Sequence, residues 1–257
     1  MEPRWGSVKL GAITAWDVEG WLADMSRAEV GATTRAQAFR LLRHMMSAAA
    51  HHKLIATDPT ATVKAPSIPR HVDRFLTEPE FYALWSVLHT DQDRGLIALM
   101  TLAGLRWAEA AGIWGERIHL GTPQPWLTVV EVKRRDGSTK PRPKSEAGMR
   151  DVPIAPMLAE ALRAVWTAGP LFPTVSYTNW RRRVFVPAVK VAGLAAPLPT
   201  PHDLRHTFGS WLAQRGVAPI DIMTTMGHTS LRATERYLHA GGGRLGRVAG
   251  ALEAVNA

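Results

Sequence analysis

The chain has 257 residues, 46% of them hydrophobic and 21% charged, with a formal net charge of +9 and a pI near 10.4. This length suffices for two modest domains with separate cores. The absence of cysteine excludes a disulfide framework and thiol catalysis, while the positive charge favours a polyanionic partner such as nucleic acid. No signal peptide or membrane-spanning run is visible, so we expect a cytoplasmic protein of a bacterial host without membrane association.

The first third of the chain reads as a small helical bundle. Apolar residues at helical spacing, beginning with Trp16 and Val18, predict two helices between Thr14 and Leu54. A proline-rich stretch without a periodic apolar face follows, and Thr77 then caps a new helix. We therefore predict a helical DNA-binding domain over residues 1–66, a linker over 67–76 and a second domain over 77–257.

The second domain is predicted to be mainly helical. A β-branched run from Trp126 to Val132, a turn at Asp136-Gly137 and a strand from Arg150 to Ile154 indicate one small antiparallel sheet. Helices are expected over Gly95 to Ala103, Pro156 to Trp166, Thr178 to Ala192, Asp203 to Arg215 and Pro219 to Met226. The fold class is thus mainly α, a multihelical α+β arrangement with a small sheet.

Four residues near the end of the chain can converge on one site. His202 and Arg205 are three apart on a predicted helix and project from one face. The next helix is predicted to end at Gly227, which leaves His228 exposed just beyond it. With the phenol of Tyr237, these groups suit phosphoryl transfer, since cations stabilise phosphate oxygens and imidazoles move protons.

Four segments together resemble the tyrosine recombinase family of the phage integrase type. His202 to Tyr237 is similar in order and spacing to the family's C-terminal signature, and Ala103 to Glu109 looks like its first arginine motif. Pro143 to Ile154 resembles its hairpin lysine and following strand, and Ile13 to Val63 its helical core-binding domain. The resemblance covers nearly the whole chain and implies a core-binding domain followed by a catalytic domain.

The resemblance implies a site-specific recombinase that cleaves and rejoins DNA through a covalent 3′-phosphotyrosine. Tyr237 would attack the scissile phosphate and release a 5′-hydroxyl. Arg106 and Arg205 would bind the non-bridging oxygens, and Lys144 would protonate the departing 5′-oxygen. Lys133 and Lys140 lie in the same basic hairpin, where a charge run is most often a solvated face or a phosphate contact. No cofactor and no metal ion are expected, because positive side chains supply the electrostatic stabilisation.

The remaining site residues are histidines and acids. The resemblance implies that His202 exchanges a proton with the tyrosine and that His228 hydrogen-bonds a phosphate oxygen. His206, one helical turn after His202, stays open as the chemical histidine. Glu109 and Asp203 are expected to orient the arginine and histidine.

The resemblance also implies partners. These are double-stranded DNA attachment sites, a homotetramer on DNA formed from free monomers, and a directionality factor as an optional partner. Arg181, Arg182 and Arg183 would contact the DNA backbone or form a solvated face. The amphipathic stretch after Gly241-Gly242-Gly243 would pack on a neighbouring protomer or on its own domain.

Only about a dozen residues precede the first predicted helix, so the resemblance implies a phage or mobile-element integrase that lacks an arm-binding domain.

Two alternatives to recombination stay open. A catalytically silent DNA-binding regulator would keep the fold without the chemistry. A type IB topoisomerase would keep the chemistry without exchanging strands.

Overall fold

The structure is a computed structural model that describes residues 2–68, 74–134, 136–141 and 149–240. The chain forms two compact units, Met1–Val72 and Asp73–Ala257. The boundary between these units falls inside the segment predicted as a linker. None of the helices within the described ranges is long and apolar enough to cross a membrane.

The first unit is a helical bundle. Its helices are α1 (Glu2–Trp5), α2 (Ala15–Arg27) and α3 (Ala32–His51), with a 3-10 turn at Leu10–Ala12. Thr14 and Asp17 form a capping box that fixes the start of α2. Apolar side chains one helical turn apart, such as Val18, Trp21, Phe39, Leu42 and Met46, form the core. Trp16 is exposed, because it lies on the face of α2 opposite Val18.

The second unit carries nine helices within its described residues. They are α4 (Glu78–Ser86), α5 (Asp91–Leu102), α6 (Trp107–Ala110), α7 (Pro156–Val165), α8 (Tyr177–Trp180), α9 (Val186–Val191), α10 (Pro201–Gln214), α11 (Pro219–Met226) and α12 (Arg232–Ala240). Helix α5 lies in the core of this unit, and every one of its residues from Gly95 to Thr101 is buried. Helix α5 begins at Asp91, before the predicted start at Gly95. Thr90 caps this first turn, whose residues are polar and therefore give no periodic apolar signal.

The predicted small antiparallel sheet is present, and within the described residues its strands divide into two sheets. Strands β1 (Ile118–His119), β2 (Trp126–Val129) and β5 (Arg150–Pro153) form an antiparallel sheet in the order β1-β2-β5. Strands β3 (Glu131–Lys133) and β4 (Thr139–Pro141) form a separate hairpin. The predicted single strand divides at Val130, since β2 alternates between buried and half-buried residues while β3 is half-buried throughout.

The predicted helix from Thr178 to Ala192 is also divided. Ser176 caps α8, and a π-helical turn at Arg181–Phe185 separates α8 from α9. The wider turn buries Phe185 and leaves the three preceding arginines, Arg181 to Arg183, exposed.

Candidate active site

Arg106 lies at the junction between α5 and α6, where the sequence places it. Its backbone N–H donates to Glu109 Oε2 at 2.9 Å, and its Nη1 donates to Glu109 Oε1 at 2.9 Å. The preceding turn needs Gly104, because its φ is +64° and a Cβ there would meet the ring of Phe208. The Arg106 side chain is 35% exposed, so it can reach an anion while bound to Glu109.

Arg205 is enclosed within the second unit, and its side chain is 2% exposed. Its Nη1 donates to the carbonyl of Gly104 at 2.5 Å, and its Nη2 donates to that of Met226 at 2.6 Å. Burial lowers the pKa of Arg205, the charge of Arg106 adds to this and Glu109 opposes it, which gives a pKa of about 9. Arg205 therefore remains a cation at neutral pH and joins the α5–α6 junction to the end of α11.

Glu109 is the carboxylate around which the arginines gather, and its side chain is 1% exposed. Its Oε2 lies 3.0 Å from Arg150 Nη2 and 3.7 Å from Arg205 Nη1. Burial acts to raise the pKa of Glu109, but Arg150, followed by Arg106 and Arg205, outweighs burial and holds the pKa at about 2. Three guanidinium groups and one carboxylate leave a local excess of positive charge, which suits phosphate oxygens.

His228 follows Gly227, which ends α11 in the left-handed conformation with a φ of +63°, as predicted. The backbone N–H of His228 donates to the carbonyl of Met223 at 3.0 Å. Its Nδ1 lies 2.9 Å from the hydroxyl of Thr234 in α12. The imidazole is half-buried, not exposed as predicted, because α12 packs beside it.

Tyr237 lies in α12 and is only 4% exposed. Its hydroxyl lies 2.8 Å from His206 Nδ1. Its ring stacks with that of His228, with 6.2 Å between the ring centroids. The phenol also packs closely against Gly209, where a Cβ would lie 2.8 Å from its ring. The tyrosine oxygen thus contacts the residue that follows the buried Arg205.

His202 and Asp203 occupy the first turn of α10. His202 is exposed, and its ring centroid lies 4.5 Å from that of His206. The carboxylate of Asp203 accepts hydrogen bonds from the backbone N–H and the hydroxyl of Thr200, both at 2.7 Å. The Asp203 side chain therefore caps α10, and its expected orienting role remains a prediction.

The hairpin lysine cannot be placed, because Lys144 lies outside the described residues. Lys133 in β3 donates from Nζ to the carbonyls of Phe172 at 2.5 Å and Pro173 at 2.7 Å. Burial lowers the pKa of Lys133. This lysine anchors β3 to the loop before α8, which differs from the solvated face or phosphate contact that the charge run suggested.

Arg150 is the member of the cluster that the sequence analysis missed. It is buried at the start of β5, and its Nε donates to the carbonyl of Thr225 at 2.6 Å. A usable signal was present, because alternation along β5 places Arg150 on the same inward face as Val152. Glu109 was expected to orient an arginine, and its contacts with Arg106 agree with that expectation.

The fold and this cluster define a class of protein, that of tyrosine-dependent phosphoryl-transfer enzymes. A mainly helical unit brings one phenol into contact with an imidazole, close to buried and half-exposed guanidinium groups. A phenol can attack phosphorus when a base takes its proton and cations stabilise the equatorial oxygens. Within the described ranges, no three His, Asp or Glu side chains group closely enough to hold a metal ion.

The sequence model of the phage integrase family matches residues 74–242, more than half of the chain. The chain belongs to this family and is a tyrosine-type site-specific recombinase, which confirms the prediction from its motifs.

Individual relatives agree with this assignment. The chain is 25% identical over 239 residues to the tyrosine recombinase XerD of Shewanella oneidensis, covering 89% of this chain and 78% of that protein. It is 29% identical over 255 residues to the prophage phiRv2 integrase of Mycobacterium tuberculosis, covering 93% of this chain and 66% of that protein. The Tn1549 transposon integrase in complex with transposon right end DNA has a similar fold, with a TM-score of 0.76, 19% identity and coverage of 96% and 89% of the two chains.

Proposed function

We propose that this recombinase acts on double-stranded DNA attachment sites and integrates or excises a phage or related mobile element through a covalent 3′-phosphotyrosine at Tyr237. The observation that carries the proposal is the 2.8 Å contact between the Tyr237 hydroxyl and His206, next in sequence to the buried Arg205. An integrase among the relatives and a DNA complex among the similar structures support the choice of substrate. The net charge of +9 supports a polyanionic partner.

In the proposed reaction, the Tyr237 oxygen forms a bond to phosphorus while the bond from phosphorus to the 5′-oxygen breaks. The phenol proton passes to an imidazole, and Lys144 protonates the departing 5′-oxygen. Arg106 and Arg205 stabilise the charge on the non-bridging oxygens, Arg106 from its half-exposed position and Arg205 from the interior. The reverse reaction, with a 5′-hydroxyl from another strand, rejoins the DNA. The chemistry needs no metal ion.

Two histidines compete for the proton of Tyr237. The 2.8 Å contact favours His206 as the immediate acceptor, and the edge-to-face contact of His202 with His206 would let His202 pass that proton to solvent. His228 is assigned to a phosphate oxygen, since it lies at the end of α11 next to the arginines.

The wider organisation is proposed on the same basis. Residues 1–66 would bind the core DNA site and residues 77–257 would carry the chemistry, joined by a linker at 67–76. Free monomers would assemble as a homotetramer on two duplexes in the cytoplasm of the bacterial host, with a directionality factor biasing integration or excision. The segment after residue 240, which would link the protomers, lies outside the described residues.

A covalent trapping assay tests this proposal. Purified protein in EDTA would be mixed with nicked duplexes tiled from the DNA that flanks its gene, beside Tyr237→Phe and a control, Tyr177→Phe. We expect a denaturant-resistant adduct with the wild type and the control but not with Tyr237→Phe. Tight DNA binding without an adduct would favour a silent regulator. Relaxation of supercoils without strand exchange would favour a type IB topoisomerase.

A further inference from the structure

Three consecutive backbone carbonyls at the end of α11 each accept a hydrogen bond from a different arginine. Thr225 accepts from Arg150 Nε at 2.6 Å. Met226 accepts from Arg205 Nη2 at 2.6 Å, and Gly227 accepts from Arg106 Nη2 at 3.3 Å. The last carbonyls of a helix have no partners within the helix and carry partial negative charge. The end of α11 therefore supplies part of the negative charge that balances the three arginines.

The same three arginines meet at one carboxylate, that of Glu109. Arg106 binds its Oε1, and Arg150 and Arg205 approach its Oε2. Arg150 and Arg205 are 4% and 2% exposed, whereas Arg106 is 35% exposed. Arg150 Nη2 and Nε are both bound to protein acceptors, Glu109 and the Thr225 carbonyl, so Arg150 can act by fixing the groups that meet the phosphate.

Arg150 is placed to fix three elements together. Arg150 lies in β5. Its planar guanidinium donates through Nη2 to the carboxylate of Glu109 in α6 and through Nε to the carbonyl of Thr225 in α11. It also packs against Gly227, where an added Cβ would lie 2.8 Å from Arg150 Nη1. The backbone that leads into His228 therefore rests directly on this guanidinium.

We propose that Arg150 is a positioning residue for the recombination reaction: it orients Glu109, and through it Arg106 and Arg205, and it fixes the end of α11 that presents His228. This inference rests on the proposed function of the site. A lysine could supply the charge at this position but not the fork that serves two acceptors in different directions. The planar geometry of Arg150 should therefore matter as well as its charge.

The experiment uses the nicked duplex that traps the wild-type protein. Single-turnover cleavage and duplex affinity would be measured for Arg150→Met, Arg150→Lys and a control, Arg117→Met. Arg117 is matched because it also pairs with a carboxylate, Glu131, in the same unit, but outside the cluster. We expect Arg150→Met to cleave roughly 100-fold more slowly, because a small misplacement of the reacting groups lowers the rate by about this factor. Its affinity for the duplex should change little. Arg150→Lys should recover part of the rate, and Arg117→Met should match the wild type.

A substrate with a neutral methylphosphonate at the scissile position separates positioning from general damage. It removes one negative oxygen that the arginines would stabilise, so the rate ratio between wild type and Arg150→Met should shrink. A loss of equal size on both substrates, or cleavage by Arg150→Met at the wild-type rate, would overturn the inference. If Arg150→Met does not fold, the ratio for Arg150→Lys decides in the same way. Absence of any wild-type adduct would instead overturn the proposed function and the inference together.

Discussion

Replacing Glu109 with glutamine should separate the charge of the central carboxylate from its shape. Glutamine has nearly the same volume and can still accept one hydrogen bond, but it cannot balance the three arginines. Arg150 and Arg205 would then be buried without a counter-charge, a change that strongly destabilises folded proteins.

The magnitude follows from the pKa of Glu109, which lies at about 2 against an ordinary value of 4.5. At about 1.4 kcal/mol per pKa unit, the ionised carboxylate contributes about 3 kcal/mol at neutral pH. The folded-state pKa is depressed, so this contribution is complete above about pH 4.5 and is lost as the pH falls towards 2. A loss of about 3 kcal/mol would lower the Tm of a domain of this size by roughly 6–12 °C.

Urea unfolding of wild type and Glu109→Gln at pH 7, 5 and 3 tests this reasoning. The difference in unfolding free energy should be about 3 kcal/mol at pH 7 and fall below half of that by pH 3. Glu80→Gln is a matched control, because Arg74 holds the pKa of Glu80 at about 2 against burial, but outside the cluster. Glu80→Gln should lose stability and keep DNA cleavage, whereas Glu109→Gln should lose both. A difference that is absent, or constant between pH 7 and 3, would show that the charge of Glu109 does not stabilise the fold in this way.

Three further substitutions test the packing of the site. Gly209→Ala should abolish the adduct while the DNA affinity is kept, because its Cβ would lie 2.8 Å from the ring of Tyr237; an unchanged cleavage rate would contradict the close packing of the phenol against α10. Gly227→Ala should lower the Tm by several degrees and slow cleavage, since a left-handed turn and contact with Arg150 both oppose a side chain; thermal unfolding checks this. Lys133→Met should lower the Tm and leave the salt dependence of DNA binding unchanged, since its ammonium is bound to carbonyls; a smaller salt slope would instead make it a phosphate contact.

The sequence predicted those helix ends that depend on a capping residue or a glycine close by in the chain. Thr77 caps a helix as expected, the first long helix follows Thr14, and Gly227 ends α11 because it adopts the left-handed conformation. The family and its fold class followed from the order of the motifs. The division of the predicted strand at Val130 was not visible, because β2 pairs with β5 whereas β3 pairs with β4 in a hairpin, and the sequence pattern does not show which strands pair.

The sequence suggested candidate residues for the site but not the contacts that they make. The roles assigned to Arg106, Lys144, His202, Arg205, His228 and Tyr237 remain predictions. The contact of Tyr237 with His206 spans 31 positions and depends on the packing of α12 against α10. Arg150 was not predicted because a charged residue at the start of a short strand usually faces solvent, and its burial depends on its contacts with Glu109 and the carbonyl of Thr225, which are distant in sequence.

In the proposed reaction the Tyr237 oxygen becomes covalently bound to DNA. This bond can be located by mass spectrometric mapping of the trapped adduct after protease and nuclease digestion, with the reaction run in EDTA. We expect a nucleotide linked through its 3′-phosphate to the peptide that contains Tyr237. A linkage to Tyr82, Tyr177 or any other side chain, or an adduct that forms only with a divalent metal, would contradict it.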